Sequence, residues 1–390
     1  MIHGLALIGF ALLCRQEATP LRSFDDALEA HLREYGIPGG ALAVAREGRL
    51  VLAKGYGLAD AEAKVPVAPD SLFRIASISK PITAVAVLKL VEGGKLDLDA
   101  KAFALLGLRR EKGDPRLDDV TVRHLLQHTG GWDRERSGDP MFMPFRIADE
   151  LGVPTPPDAG AILRYMAQRP LDFDPGTHYA YSNFGYCVLG RILEKVSGES
   201  YEDHVRKAVL APMGITRMRL GRSLPDQRAD GEVRYYSLAE PRSRPVFDRL
   251  TQKDVPWPYG GFNLEAMDAH GGWLASAVDL VRFASSIDKV LDTKMQDLMV
   301  ARPDRLKPEA AYYGCGWMVR PVGKDGKRNL WHAGSLPGTS TLLVRRHDGL
   351  VWAALFNDRS RGEGKIDPAL HRAADAVTEW PAGDLFPGFR

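Results

Sequence analysis

The chain has 390 residues, enough for one large α/β enzyme domain or two closely packed lobes with a substantial core. Its formal net charge is only +2 and no run of like charges stands out, so a nucleic-acid or membrane-surface partner is not expected. A small neutral or weakly charged substrate fits this balance better. The cysteines are too few for a disulfide framework and match no zinc spacing: they are Cys14, Cys187 and Cys315.

The N-terminal sequence has the apolar character of an export signal. Residues 4–13 form an apolar run that is too short to span a bilayer but suits the hydrophobic region of a signal peptide. We therefore predict a signal peptide in residues 1–20, no integral membrane span, and a periplasmic or secreted protein. A plain N-terminal helix and a lipid anchor at Cys14 are alternatives, because no Lys or Arg precedes the run and no clear cleavage site follows it.

The next part of the chain predicts a helix, a hairpin and a second helix. Residues 23–26 resemble a capping box, so the first helix should begin with them and end at Gly36. Residues 40–57 contain two apolar runs around a Glu-Gly turn, typical of a β-hairpin, and residues 72–75 add a short strand. Residues 81–91 are apolar on nearly all sides and stop at a Gly pair, which indicates a buried helix.

Helical patterns dominate the middle of the chain, and strand patterns return near its end. Helices are predicted near residues 119–128, 160–168, 183–197, 201–209 and 276–290. The last of these opens with a capping box formed by Ser276 and Asp279. Strands are predicted over residues 313–319, 329–332, 339–345 and 350–356, followed by a helix over residues 368–380.

Strands at both ends and helices between them predict an α+β fold with a discontinuous architecture. The N-terminal hairpin should join the C-terminal strands in one antiparallel sheet flanked by the terminal helices, while the middle forms a mostly helical lobe. The predicted units are one domain over residues 21–360, a sheet lobe over about 21–76 and 305–380, a helical lobe over about 77–304, and a C-terminal helix and tail over 361–390.

The segment Ser77-Ile-Ser-Lys80 opens the buried helix and places two reactive side chains on one face of its first turn. The helix dipole favours negative charge near Ser77, and desolvation lowers the pKa of Lys80 toward a neutral amine able to accept the serine proton. This geometry allows Ser77 to act as a nucleophile with Lys80 as its proton partner, but the tetrapeptide by itself is weak evidence. A second segment of this form, Ser286-Ile-Asp-Lys289, lies well inside an amphipathic helix, and we interpret it as solvated surface.

A second motif, Tyr181-Ser-Asn183, lies between a Pro-Gly turn and the start of a predicted helix. A tyrosine there can move protons if nearby cations hold it as a phenolate or as a strong hydrogen-bond partner. The Asn183 amide can hold both Lys80 and a substrate carbonyl. Taken alone, the motif is better explained by a core tyrosine and a helix-capping asparagine.

A third motif, His332-Ala-Gly334, follows a predicted strand late in the chain. Its small residues would let a substrate backbone approach the strand edge. The similar segment His128-Thr-Gly130 closes a predicted helix, and we interpret its glycines as a C-cap. His124 and His128 have the spacing of zinc-peptidase ligands, but the general-base Glu between them is missing, so no metal site is predicted.

The three motifs, in this order and well separated, resemble those of the serine β-lactamase and penicillin-binding-protein superfamily. The resemblance is to its class C β-lactamase, D-Ala-D-Ala carboxypeptidase and family VIII esterase branch, and it covers about residues 24–356. It extends through segments such as LFRIASISKPITA, LLQHTGG, FDPGTHYAYSNFGYCVLGRILEKVSG, AHGGWLASAVDLVRF and WHAGSLPGTST. It implies a β-lactamase/transpeptidase-like fold and an acyl-enzyme mechanism with no metal or organic cofactor.

The resemblance also implies a role for each motif residue. Ser77 would attack the substrate carbonyl, while Lys80 and Tyr181 would manage its proton and protonate the leaving group. Which of these two is the base stays open. The backbone N–H groups of Ser77 and Ser335 would form an oxyanion hole. Substrate-binding roles are implied for Asn183, His332, Gly334 and Ser335.

One departure from the family pattern bears on the substrate. Penicillin-hydrolysing members usually carry Lys where this chain has His332, and an imidazole that is only partly charged near neutral pH would anchor a carboxylate weakly. We therefore predict a serine hydrolase that cleaves ester or amide bonds of a small or peptide-like substrate, with a β-lactamase or D-Ala-D-Ala carboxypeptidase as the alternative. A non-catalytic penicillin- or peptidoglycan-binding module is the alternative from another class. The sequence predicts no oligomeric state.

Segments 132–160 and 223–262 match the family least and are predicted to be cleft walls. Their aromatic residues are Trp132, Phe142, Phe145, Tyr235, Tyr236, Trp257, Tyr259 and Phe262. Such side chains can shape an apolar substrate pocket or pack long loops onto the body of the protein, and both interpretations stay open.

Overall fold

The computed structural model describes residues 21–108, 113–237, 239, 241–303, 311–359, 362 and 364–389. The predicted signal peptide, with Cys14, lies outside the described residues. Among the described residues, no helix has both the length and the apolar character needed to cross a bilayer.

The helices are α1 (Arg22–Tyr35), α2 (Ser79–Glu92), α3 (Ala102–Leu106), α4 (Val122–Leu126), α5 (Arg134–Ser137), α6 (Pro144–Leu151), α7 (Ala159–Met166), α8 (Asn183–Ser197), α9 (Tyr201–Val205), α10 (Asp268–Gly271), α11 (Ala277–Ser285), α12 (Thr293–Met299) and α13 (Ile366–Asp375). The strands are β1 (Gly39–Arg46), β2 (Arg49–Asp60), β3 (Val65–Pro66), β4 (Phe73–Arg74), β5 (Arg219–Leu220), β6 (Arg242–Ser243), β7 (Val255–Pro256), β8 (Trp273–Ala275), β9 (Tyr312–Tyr313), β10 (Met318–Val322), β11 (Lys327–Leu336), β12 (Thr339–Arg345) and β13 (Leu350–Phe356).

One antiparallel sheet organises the described residues. Its strands run in the order β3-β2-β1-β13-β12-β11-β10-β9, so the N-terminal hairpin pairs with the last strand of the chain. The register places Ala43 opposite Ala353 at this junction. Both β1 and β13 are buried almost throughout because helices cover both faces of the sheet, and their sequences are therefore continuous apolar runs. This arrangement confirms the predicted α+β fold and the pairing of the hairpin with the C-terminal strands.

Helices α1 and α13 pack together on one face of the sheet. Phe24 of α1 is fully buried there with Trp352 of β13. The predicted capping box of α1 is wrong: Leu21 is the N-cap residue, and the Ser23 hydroxyl donates to the Ala373 carbonyl of α13 at 2.8 Å. A tertiary contact with α13 thus replaces the local capping bond.

Helix α11 covers the opposite face of the sheet, with α2 at the centre of the helical segment behind it. Most of α2 is buried, which confirms the buried helix predicted from its apolar sequence. The capping box of α11 is also confirmed, since the Ser276 hydroxyl accepts the Asp279 N–H at 3.0 Å. The interpretation of residues 286–289 as a solvated helix surface is wrong for the helix and for Ser286, whereas Asp288 and Lys289 are exposed as predicted. Helix α11 ends at Ser285, and Ser286 is a buried C-cap residue beside the buried Ile287.

Some predicted elements are interrupted or shorter in the structure. The strand predicted over residues 313–319 is split into β9 and β10, because Gly316 turns the chain with a φ of 81° and lies against α2. A Cβ on Gly316 would lie 2.6 Å from the Ala84 Cβ of α2. The helix predicted over residues 119–128 is a 3-10 turn, Pro115–Asp119, followed by α4. The final helix, α13, ends five residues short of the predicted Trp380.

Candidate active site

Ser77 lies in a 3-10 turn, Ala76–Ile78, that leads directly into α2 and is called the nucleophile turn below. Ala76 is fully buried and has a φ of 48°, a strained conformation for a residue with a side chain. The sheet holds this turn from one side, and the Thr341 hydroxyl of β12 donates to the Ile75 carbonyl at 3.0 Å. Ser77 therefore stands on a constrained turn between the sheet and the helical segment.

Lys80 is completely buried beside Ser77. Its Nζ lies 3.0 Å from Ser77 Oγ, 2.8 Å from Asn183 Oδ1 and 3.0 Å from the His270 carbonyl oxygen. Burial lowers the pKa of Lys80 well below its ordinary value, and the charge of Asp139 opposes this effect. A neutral amine has two N–H donors, and amide and carbonyl oxygens can only accept. The lone pair of the Lys80 amine can therefore accept a hydrogen bond from the Ser77 hydroxyl.

Asn183 is the first residue of α8, and its side-chain amide is held on both sides. Its Nδ2 donates to Asp139 Oδ2 at 2.6 Å, which fixes Oδ1 on the side of Lys80. The N-cap of α8 is Ser182, whose hydroxyl accepts the Gly185 N–H at 3.2 Å. The alternative of a helix-capping asparagine is therefore wrong, and the Asn183 side chain belongs to the Lys80 cluster.

The Tyr181 ring lies against the Lys80 amine. Lys80 Nζ lies 4.7 Å from the centre of its ring, and the Arg134 guanidinium carbon lies 5.1 Å from the same centre. Burial raises the pKa of Tyr181, and the interaction with Ser77 and the charge of Arg134 only partly offset this effect. At neutral pH the side chain is therefore a phenol beside Ser77, not a phenolate.

His332 is buried and is not among the residues that line the cleft at Ser77. Its Nδ1 lies 2.7 Å from the Ala333 carbonyl oxygen, and its Nε2 lies 3.0 Å from the Tyr313 hydroxyl oxygen. These distances assign the proton to Nδ1, with Nε2 accepting from Tyr313. Burial, with a smaller contribution from Lys80, lowers the pKa of His332 to about 3. The expectation of a partly charged imidazole is wrong, and the geometry gives no support to a carboxylate anchor at His332.

Gly334 and Ser335 are adjacent on β11, and their side-chain positions point to opposite faces of the sheet. A Cβ on Gly334 would lie 2.2 Å from Thr341 Oγ1 and 2.3 Å from the Ile75 carbonyl oxygen. The missing side chain thus lets β11 pack against the nucleophile turn, while Ala333, the other small residue of the motif, lines the cleft at Ser77. Ser335 lines the cleft at Ser77, where the resemblance assigns it an oxyanion contact.

Ser77 opens into a cleft of about 550 Å³. The apolar part of its lining consists of Phe142, Trp257, Met267, Ala333, Leu336 and Pro337. The charged part consists of Arg134, Glu135, Asp139 and Arg359. Of the aromatic residues predicted for the walls, Phe142 and Trp257 line this cleft, whereas Tyr235 and Tyr259 pack around the buried Arg74 guanidinium. Both interpretations of the aromatic segments therefore hold, each for different residues.

Sequence reasoning missed the residues that support the motif side chains. Asp139 orients the Asn183 amide, Tyr313 donates to His332, and His270 contributes a backbone carbonyl to Lys80. Asp139 and Tyr313 carry no motif of their own. His270 lies in the AHGGW segment, and the resemblance of this segment to the family could have indicated that His270 belongs to the site.

His128 also lies at the site, although its segment was predicted only to end a helix. Helix α4 ends at Leu126 with Gln127 as its C-cap residue, so the predicted glycine cap is wrong. The His128 ring centre lies only 4.3 Å from the Tyr181 ring centre. The available signal was its place in the LLQHTGG segment, where the resemblance to the family is close.

His124 and His128, which have the spacing of zinc ligands, have separate hydrogen-bond partners. The Thr121 N–H donates to His124 Nδ1 at 3.3 Å, and the Ser182 N–H donates to His128 Nδ1 at 3.2 Å. Within the part of the chain that the structure describes, no group of three or more His, Cys, Asp or Glu side chains is arranged to hold a metal ion.

A helix-covered antiparallel sheet and a Ser-Lys-Tyr cluster built around a buried lysine at the start of a central helix define the β-lactamase-like class of proteins. The sequence model of the Beta-lactamase family matches residues 24–376, and the chain belongs to this family.

Three known proteins illustrate its relatives. The chain is 37% identical over 204 residues to esterase EstB of Burkholderia gladioli, and the match covers 49% of this chain and 49% of the esterase. It is 30% identical to a penicillin-binding protein of Bacillus subtilis (strain 168), over 87% of this chain and 72% of that protein. The structure of D-amino acid amidase from Ochrobactrum anthropi SV3 complexed with L-phenylalanine has a TM-score of 0.71 at 25% identity, covering 91% of this chain and 98% of the amidase.

The chain thus spans about half the length of the esterase and most of the other two proteins. The names of these relatives agree with the predicted class, a serine hydrolase that acts on ester or amide bonds.

Proposed function

We propose that the protein hydrolyses ester or amide bonds through an acyl-enzyme formed on Ser77. Lys80 Nζ accepts the Ser77 hydroxyl proton as Oγ attacks the substrate carbonyl carbon, and the carbonyl π electrons move to its oxygen. The backbone N–H groups of Ser77 and Ser335 stabilise this oxyanion. Its collapse breaks the bond to the leaving group, which takes a proton from Tyr181 as Tyr181 takes one from Lys80. Water then attacks the acyl carbon, the bond from this carbon to Ser77 Oγ breaks, a proton of the water passes to Oγ, and the acid product leaves.

The observation that carries this proposal is the set of partners around the buried amine. The Lys80 amine contacts two oxygen atoms that can only accept hydrogen bonds, one on Asn183 and one on His270. It also contacts the Ser77 hydroxyl, which can donate one. Burial lowers the pKa of Lys80 and raises that of Tyr181. These opposite directions support Lys80 as the base for Ser77 and Tyr181 as the acid for the leaving group.

We propose that the preferred substrate is a neutral ester or amide with an apolar acyl or alcohol group. Phe142 supports this choice, because its ring lines the cleft and is 41% exposed, so an apolar substrate group can bury it. Trp257 lines the same cleft. His332, with a pKa lowered to about 3 by burial, supplies no positive charge at neutral pH for a substrate carboxylate.

A second candidate is a peptide-like amide or a β-lactam that carries a free carboxylate. Arg359 favours it, because this exposed residue lines the cleft that contains Ser77. A guanidinium stays charged across the physiological pH range and pairs well with a carboxylate. Arg359 can therefore take the anchoring role for which His332 has no charge.

Hydrolysis of p-nitrophenyl butyrate and of benzylpenicillin by the wild type and by Ser77→Ala tests the proposal. We expect ester turnover that Ser77→Ala abolishes, with benzylpenicillin a much poorer substrate. Faster acylation by benzylpenicillin, with a KM that Arg359→Gln raises more than tenfold, would favour the second candidate. A folded wild type that neither turns over nor becomes acylated would reject hydrolysis and leave the non-catalytic binding module.

We propose that residues 21–360 form one catalytic domain composed of the two predicted lobes. Its support is a single buried cluster that includes Ala41 and Leu355 from the sheet and Val87 and Leu189 from the helical segment. One cooperative unfolding transition is expected in urea, and two separate transitions would contradict a single domain.

We also propose that the protein is exported to the periplasm or secreted, supported by the apolar run in residues 4–13. Fractionation of bacteria that express the full chain with a C-terminal tag tests this. A shortened chain in the periplasm or medium is expected, a lipid-modified Cys14 would indicate anchoring, and a full-length cytoplasmic chain would refute export.

A further inference from the structure

His128 holds the backbone on both sides of Tyr181, although the proposed mechanism assigns it no step. The residue follows the end of α4 and is almost completely buried. Its carbonyl accepts the Ala180 N–H at 2.9 Å, and its Nδ1 accepts the Ser182 N–H at 3.2 Å. These two N–H groups belong to the residues immediately before and after Tyr181. A single residue therefore fixes the chain at both neighbours of the tyrosine.

The His128 ring also supports the Tyr181 ring directly. The two ring centres are 4.3 Å apart with an interplanar angle of 42°. Two further tyrosine rings, of Tyr313 and Tyr186, lie 4.4 Å and 5.1 Å from the His128 ring. Because Nδ1 accepts a hydrogen bond, the proton lies on Nε2, which is buried with no hydrogen-bond partner among the described residues. This N–H therefore lies among aromatic rings, whose faces are weak acceptors.

The backbone of His128 is strained. Its φ is 57°, in the left-handed region that residues with a Cβ rarely adopt. Glycine or asparagine is the usual residue where a chain leaves a helix in this conformation. Histidine is among the residues with a side chain that occur there most often, and here its ring contacts Ser182 and Tyr181.

We propose that His128 is a positioning residue that sets the distance and angle between the Tyr181 hydroxyl and Ser77. The inference rests on the proposed acyl-enzyme mechanism. The contacts at Ala180 and Ser182 fix the Tyr181 backbone, and the imidazole fixes one side of its ring. A displacement of about 1 Å at a proton-transferring group can lower a rate by about a hundredfold. His128 thus acts on the reaction through Tyr181 without contacting the substrate.

Two variants separate the two parts of this role. His128→Asn keeps a side-chain acceptor for the Ser182 N–H and tolerates the left-handed backbone, but it removes the ring. His128→Phe keeps a ring beside Tyr181 but removes the acceptor. The matched control is His31→Asn, because His31 is also buried but packs against Phe356 in the cluster with the terminal helices.

The measurement is kcat and KM for p-nitrophenyl butyrate per active site, with sites counted by titration with a serine-reactive alkyl phosphonate. Counting the sites separates slow chemistry from loss of folded protein. We expect kcat per site to fall at least tenfold in both His128 variants, with KM within about twofold of the wild type. His31→Asn should reduce the number of folded sites without changing kcat per site.

A kcat per site within twofold of the wild type in either His128 variant would overturn the proposal. An equal fall in kcat per site in His31→Asn would also overturn it, because the effect would then be a general consequence of losing a buried histidine. Failure of the proposed function is recognised separately. The wild type would show no ester turnover before any variant is compared, and the role of His128 would be rejected with it.

Discussion

Asp139 acts on Lys80 through Asn183, so Asp139→Asn should move the acid limb of the pH profile to lower pH. Hydrogen bonds of 2.8 Å from Lys80 to Asn183 and 2.6 Å from Asn183 to Asp139 place the carboxylate roughly 7 Å from the amine. The charge of Asp139 raises the pKa of Lys80 against the larger effect of burial. In the proposed mechanism the neutral amine is the reactive form, so activity should be lost as pH falls through the pKa of Lys80. Removing the charge should therefore extend activity to lower pH.

The size of this effect follows from the separation of the two charges. A unit charge roughly 7 Å away interacts by about 2 kcal/mol at an effective dielectric constant of about 20. Asp139 is only partly buried, so screening by solvent reduces this to about 1 kcal/mol. That energy corresponds to roughly a fivefold change in the protonation equilibrium of Lys80. The amide that replaces the carboxylate can still accept from Asn183, so kcat/KM at its plateau should fall less than about tenfold.

The assay is kcat/KM for p-nitrophenyl butyrate measured from pH 5 to 9. The matched control is Glu135→Gln, which removes an exposed carboxylate from the same cleft but does not alter the hydrogen bond to Asn183. Only Asp139→Asn should move the acid limb. An acid limb that stays in place or moves to higher pH in this variant would refute Lys80 as the neutral base, as would an equal shift in Glu135→Gln.

Three further predictions concern burial and packing at the site. Lys80→Met should abolish turnover. Because unfolding lets Lys80 take up a proton at a pH below its ordinary pKa of 10.5, the free energy of unfolding of the wild type, measured in urea, should rise relative to that of Lys80→Met as the pH increases from 7 to 10. A constant difference would contradict a depressed pKa. With the pKa of His332 lowered to about 3, KM for an anionic substrate should stay flat from pH 5.5 to 8, and a rise near pH 6.5 would contradict this. Gly334→Ala should lower kcat more than tenfold and reduce stability, because its Cβ would lie 2.2 Å from Thr341 Oγ1. Gly383→Ala, with no atom within 4 Å of its Cβ, is the matched control and should change neither quantity.

The contacts among Ser77, Lys80 and Asn183 were predictable because the motif side chains form a set whose meaning depends on their combination. Asn183 contacts Lys80 although the two residues are 103 positions apart in the chain. Strands β12 and β13 were predicted with their observed bounds. The sequence of β13 is an uninterrupted apolar run, and that of β12 combines β-branched and apolar residues between turn residues. The buried helix α2 was predicted for a similar reason, since its sequence offers no polar face.

The supporting contacts were not predictable, because they depend on tertiary structure without a local signal. His270 contributes its backbone carbonyl, which any residue could supply. The left-handed conformations of Ala76 and His128 occur where local rules predict other residues. His332 shows how burial changes a conclusion drawn from residue type, since its charge state depends on neighbours that only the fold brings together.

The most direct test of the account is to locate the acyl group during ester hydrolysis. Protein quenched in acid during turnover of p-nitrophenyl butyrate is measured by intact mass and then by peptide mapping. Ser286→Ala is the matched control, because Ser286 begins the other Ser-x-x-Lys segment. The account predicts an acyl group on the peptide that contains Ser77 in the wild type and in Ser286→Ala, and no adduct in Ser77→Ala. An adduct that persists in Ser77→Ala, or that maps to Ser286, would contradict Ser77 as the nucleophile.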